Sequence, residues 1–173
     1  SNWESFKKKE ENFKAIKQFY QNIEFKLLLN ESVTISKNSD CIAIIGVENW
    51  GEAQLKKYAD LQKALKSVKN ITFKILLSHN PTHWIEEVVE KTDINLTLSG
   101  HTHGMQAAFQ YKNFQWSPIK YKYKHWAGLY KQNNQYLYVN RGLGWLGFPA
   151  RIGMRPEITY IETSGAILGK KAM

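Results

Sequence analysis

ITFKILLSHNPTHWIEEVVEKTDINLTLSGHTHGMQ, residues 71–106, runs twice in succession from an apolar strand into a loop with histidine at the strand's end. An apolar run ends on His79, and a second, INLTLSG, ends on His101, Thr102 and His103, enclosed by Gly100 and Gly104. Between them Asn80 can accept from the first free amides of a helix and Pro81 suits its first position, so the pattern predicts a helix over 81–91. The first run is continuous enough for a strand covered on both faces. Histidines at the carboxyl ends of neighbouring strands stand where open α/β sheets place ligands. The fold class these units predict is α/β, bordering on α+β.

Working outward, residues 3–23 repeat Phe6, Phe13, Ile16, Phe19, Tyr20 and Ile23 at helical spacing, which predicts an amphipathic helix packed on a sheet. FKLLLN (25–30), SVTIS (32–36) and CIAIIGV (41–47) read as a meander of strands. A Gly-bounded loop, GVENWGE (46–52), leads into a predicted helix over 53–68 that buries Leu55, Tyr58, Ala59, Leu61 and Leu65. Past residue 106 come aromatic-rich β runs at 119–130, 135–144 and 156–163, expected to continue the same domain as antiparallel strands. With no linker or repeat, residues 1–173 form one domain.

The composition, 43% hydrophobic with 13% aromatic, excludes a disordered chain. A net charge of +9 favours anionic partners without choosing among them. Cys41, the one cysteine, lies in an apolar run and reads as a buried free thiol. No apolar run reaches the ~18 residues of a membrane span and no signal-peptide pattern opens the chain, which reads as soluble.

His79, His101 and His103 are the candidate metal ligands. In an extended segment residues i and i+2 face one way, so His101 and His103 would point into one pocket, as two ligands of one metal or one each of two. Imidazole suits Zn, Fe, Ni or Cu, and Mn when carboxylates join it.

LLSHNP followed by LTLSGHTHGMQ resembles the C-terminal half of calcineurin-like metallophosphoesterases, and YVNRGLGWLGFPARIGMRPEITYI resembles a bacterial branch related to membrane-associated phosphoesterases. The resemblance implies half of a layered αββα fold, with mixed sheets flanked by helices. It implies two divalent ions (Mn, Zn, Fe or Mg), His79 and His101 binding one and His103 the other. It implies hydrolysis of a phosphomonoester, phosphodiester or pyrophosphate by two-metal activation of water, on a phosphorylated small molecule or a lipid-like substrate, in a bacterial, membrane-associated protein. In that family an Asp-x-His pair, a Gly-Asp and a Gly-Asn-His segment precede these motifs. Residues 1–78 contain none of them, and Asp40 and Asp60 lack the flanking pattern. The chain opens on Ser1-Asn2 without Met. It is therefore expected to be the C-terminal portion of a longer protein, or else a degenerate relative, without a catalytic residue of its own, inactive in isolation and prone to dimerise through uncovered sheet.

Other features have plainer readings. His83 reads as a solvent-facing or capping residue and His125 as an ordinary strand residue. KYKYK (120–124) reads as a half-buried strand with Tyr inward, which disfavours a nucleic-acid partner. In NRGLGWLG (140–147) Arg141 is a candidate substrate-binding residue, its guanidinium fork gripping phosphate, or else part of a plain Gly-rich turn. Trp145, Leu146 and Phe148 would suit a lipid-like substrate or a membrane surface. Glu48, Asn49 and Trp50 receive no role. The alternative to an enzyme is a non-catalytic module binding an anionic partner.

Overall fold

The computed structural model describes residues 8–51, 56–112 and 114–163. Strands β1 (Glu31–Lys37) and β2 (Asp40–Gly46) form a hairpin turned by Asn38 and Ser39, with Asn38 at φ 56°. β3 (Phe73–Leu77) and β4 (Leu96–Ser99) add in parallel, Ile45 opposite Leu76 and Leu76 opposite Thr97. β5 (Phe109–Tyr111) and β6 (Phe114–Trp116) make a separate antiparallel ribbon. β7 (Gly128–Gln132) and β8 (Gln135–Val139) return to the main sheet, whose order is β1-β2-β3-β4-β8-β7. The molecule is α/β as the two units predict. The expected antiparallel continuation holds for β7 on β8, but β8 lies parallel to β4.

Alternation along the strands separates two faces of the sheet. Ala43, Ile45, Leu76, Leu137 and Val139 are buried on one of them. They pack against Leu61, Ala64 and Leu65 of helix α2 (Leu61–Leu65) and against Trp84 and Val88 of a π-helical turn, Trp84–Val88. Lys74 shares this face and is buried with its charge. Its Nζ reaches the carbonyls of Ile71 (2.5 Å) and Lys69 (3.2 Å) and the carboxylate of Asp93 (2.7 Å), which compensates desolvation. The opposite face carries Val33, Ile42, Ile44, Phe73 and Ile75 half-buried, with Ile35 and Leu77 exposed. The expected strand covered on both sides is thus covered on one only.

Several further expectations are corrected. Helix α1 (Lys9–Asn22) has no buried side chain where an apolar face packed on the sheet was expected, and its Tyr20 ring contacts Phe19 and Phe25. FKLLLN is not a strand: the buried amide of Asn30, at φ 58°, bonds Glu48, Tyr58 and Asp60 and bends the chain. Over the described part of the helix expected at 53–68, residues 56–68, only Leu61–Leu65 is helical, because Asp60 caps it by accepting from the Lys63 amide, while the amides of Tyr58 and Ala59 bond to the Asn49 carbonyl. Phe6 and Leu55 lie outside the described residues. The helix expected over 81–91 ends at Val89, whose amide closes a wide turn on the Trp84 carbonyl. KYKYK is no strand, since Ser117 and Pro118 start a 3-10 turn through Tyr121. PEITYIET pairs with no strand and is tied by side chains instead. Cys41 is exposed, next to the β1–β2 turn.

Candidate functional site

The carboxyl ends of β3, β4 and β8 lie side by side, and the ladder runs past them. The amide of Ser78 donates to the Leu98 carbonyl (3.1 Å), that of Gly100 to His79 (3.1 Å), and that of Asn140 to Ser99 (2.8 Å). Three of the predicted residues, His79, His101 and Arg141, therefore follow adjacent strands at one edge of the fold. His79 and His101 meet, with Nε2 of His79 3.2 Å from Nδ1 of His101 and the rings edge to face. The other nitrogen of His101 lies 2.8 Å from the hydroxyl of Tyr123, a buried side chain of the 120–124 segment.

This pair fits one cation. Two imidazole nitrogens each about 2.1 Å from an ion and spaced as here subtend about 100° at it, close to tetrahedral or octahedral requirements. Metal-bound imidazole also commonly gives its second N–H to a fixed acceptor, which Tyr123 supplies. Burial, and then the neighbouring His101, lower the pKa of His79 to about 4, so it is neutral at pH 7 as a ligand must be.

His103 departs from the predicted geometry. The segment is not extended: His101 has φ 69°, Thr102 is helical, and His103, Gly104, Met105 and Gln106 all have φ between 51° and 56°. His101 and His103 consequently do not share a face through strand alternation. A non-glycine residue in this left-handed region costs about 1–2 kcal/mol, and the turn is held by neighbours. Thr102 Oγ1 donates to the Trp126 carbonyl (2.7 Å), and Ser117 Oγ to the Gly104 carbonyl (2.9 Å). Gly104 has no alternative, since a Cβ there would lie 2.6 Å from Met154 Cε. Nδ1 of His103 is buried without a hydrogen-bond partner among the described residues, a nitrogen available to a ligand. Burial, then the charge of Arg151, lower its pKa. Among the described residues no group of three His, Cys, Asp or Glu that could hold a metal ion stands together, so the pair by itself does not make a complete centre.

Arg141 stands on Asn140, with its Nε on Glu157 and its Nη1 3.4 Å from the Met154 sulfur. Burial raises the pKa of Glu157, but bonds from Tyr138, Arg141 and Thr159 outweigh it and hold the carboxyl below its usual value.

His83 corrects its reading, being fully buried. Its Nδ1 lies 2.8 Å from Ser78 Oγ, its Nε2 3.3 Å from Glu87, and its ring stacks on Trp50, whose indole N–H donates to Glu87 (2.8 Å). This cluster ties the residue before His79 to the 48–50 loop, giving Trp50 a structural place. His125 lies in a turn between Trp84 and Tyr130 rather than in a strand. Tyr123 and Gln106 were not singled out. Tyr123 sits 22 residues from His101 in a segment read as a strand, so no local signal could have joined them.

No family profile matches the chain, and no solved structure matches it. Curated proteins do. A bovine "Transmembrane protein with metallophosphoesterase domain" is 34% identical over 156 residues, 80% of this chain and 32% of that protein. "Uncharacterized metallophosphoesterase YkuE" of Bacillus subtilis is 36% identical over 105 residues, 58% of this chain and 34% of that protein. "Phosphodiesterase YaeI" of Escherichia coli is 34% identical over 136 residues, 79% of this chain and 46% of that protein. The chain spans a third to a half of the length of these relatives.

Proposed function

The chain belongs to the calcineurin-like metallophosphoesterase family, and on that premise we propose that it forms one wall of a two-cation site hydrolysing a phosphomonoester, phosphodiester or pyrophosphate. The observation that carries the reading is the His79–His101 pair, two imidazole nitrogens 3.2 Å apart on neighbouring strand ends. His79 and His101 would hold one ion, and His103, through its unpartnered nitrogen, the other. When bound, two divalent ions polarise the phosphate, acidify a water and stabilise the leaving oxygen.

The chain's own residues prepare that chemistry. Tyr123 fixes the rotation of His101, and Ser78, braced by His83, fixes the backbone leading to His79. Arg141 would bind a substrate phosphate, its guanidinium plane fixed by Glu157. Because residues 1–78 contain none of the Asp-x-His, Gly-Asp and Gly-Asn-His segments that the resemblance calls for, the reading has the 173-residue chain inactive by itself.

The test is metal analysis and hydrolysis of an aryl phosphodiester by the full-length protein. About two ions per protein and loss of turnover in His101→Ala support the proposal. A metal-free, inactive full-length protein refutes it and leaves the non-catalytic reading.

A further inference from the structure

Residues 143–152 form a loop whose apolar side chains point out and whose polar bonds point in. Leu143, Trp145, Leu146 and Phe148 are 64%, 60%, 72% and 58% exposed. The bracing comes from beneath. Gln106, the last residue of the histidine motif, is buried, donates to the carbonyls of Phe148 (2.6 Å) and Ala150 (2.8 Å), and accepts from the Leu146 amide. Arg151 reaches back to the carbonyls of Gly144 (2.9 Å from Nε) and Arg141 (3.0 Å). The apolar surface continues onto the β5–β6 ribbon, because Ala107 pairs with Ile152, and Ile152, Phe109 and Phe114 are exposed as well.

A loop free to fold would turn these side chains inward; this one is held open by about six side-chain hydrogen bonds, so presenting the apolar tip costs little further ordering. The chain that carries it is basic, with a net charge of +9, and Glu157, at the foot of the loop, is bonded to Arg141. Between Asp93 and Glu157 the chain carries no acidic residue and eight Lys and Arg. We propose that this loop docks the protein on an anionic lipid bilayer, its Trp, Leu and Phe side chains entering the headgroup boundary while the positive net charge of the chain favours lipid phosphate. Nucleic acid fits less well, since phosphate tracking needs cations among the stacking rings. Residues 143–150 contain no Lys or Arg, and Arg151 turns its guanidinium inward. The proposal rests on this loop and not on the hydrolytic reading.

The experiment is co-sedimentation of the full-length protein with phosphatidylcholine vesicles, with and without phosphatidylglycerol, and a competition arm with a single-stranded oligonucleotide. Binding should require phosphatidylglycerol, weaken with salt, and fall roughly tenfold or more in a Trp145→Ser, Leu146→Ser, Phe148→Ser variant of unchanged melting temperature. A second variant, Gln106→Ala, keeps the apolar content, loosens the loop and should weaken binding by a smaller factor. Vesicle binding that the triple variant retains in full overturns the proposal. So does absence of binding with Trp145 shielded from an aqueous quencher, which would mean that another part of the protein covers the loop, or displacement from vesicles by the oligonucleotide at equal charge.

Discussion

The hydroxyl of Tyr123 lies 2.8 Å from Nε2 of His101, the nitrogen opposite the one that faces His79. A contact on the far side of a ligand sets both its tautomer and its rotation. Tyr123→Phe should therefore weaken divalent-metal binding by the full-length protein about 10- to 100-fold while lowering folding stability by only about 1 kcal/mol. Chelator competition and urea denaturation, run on the same variant, separate the two effects.

The second prediction concerns pH. His79, His83, His103 and His125 all have pKa values below the ordinary 6.5, each chiefly through burial. The unfolded chain then takes up protons first as pH falls, so stability is complete above 6.5 and declines from there toward the folded values, about 4 for His79. The urea midpoint of the metal-free protein should drop across that window, and His83→Gln should make the drop shallower. A midpoint flat between pH 7 and pH 4.5 would contradict this.

Third, Gly104 sits at φ 56° with the Met154 side chain where its Cβ would be. Gly104→Ala should cost about 2 kcal/mol, combining backbone strain with displacement of Met154. Trimming the obstacle in Gly104→Ala, Met154→Ala should not restore the loss, because the backbone term remains and Met154 leaves a cavity. Thermal denaturation of both variants decides it.

Fourth, Asp93 neutralises the buried Lys74. Asp93→Asn should destabilise by about 1–3 kcal/mol by leaving the ammonium with carbonyls alone. Lys74→Met, which removes the charge, should cost less than that. The reverse order in chemical denaturation would show that the ion pair is not what keeps Lys74 in place.

Much of the fold was legible because parallel strands advertise themselves. ITFKILL and INLTL are apolar runs bounded by turn residues, and both became neighbouring strands with histidine at their ends. Elements decided by long-range bonds were not legible. Asn30, reading as part of a strand, donates from its side-chain amide to Glu48 and Tyr58, accepts from the Asp60 backbone amide, and so dictates the path of three segments. The site divides the same way. The His79–His101 meeting follows from strand order, whereas the left-handed turn that sets the position of His103 depends on Thr102, Ser117 and Trp126, whose contacts span 13 and 24 residues. His83 misled because a histidine after Asn-Pro looks like a surface residue; only Trp50 and Glu87, arriving from other segments, bury it.

The amide of Gly100 bonds to the carbonyl of His79 one rung beyond the last paired residues of β3 and β4. A slip of one residue between these strands would move His79 by about 3.3 Å and turn its ring to the other side of the sheet. The two imidazoles thus act as a vernier on strand alignment: a spin-label or bound-ion reading of their separation reports whether the sheet is in register, and an ion seated between them would in turn lock the alignment in place.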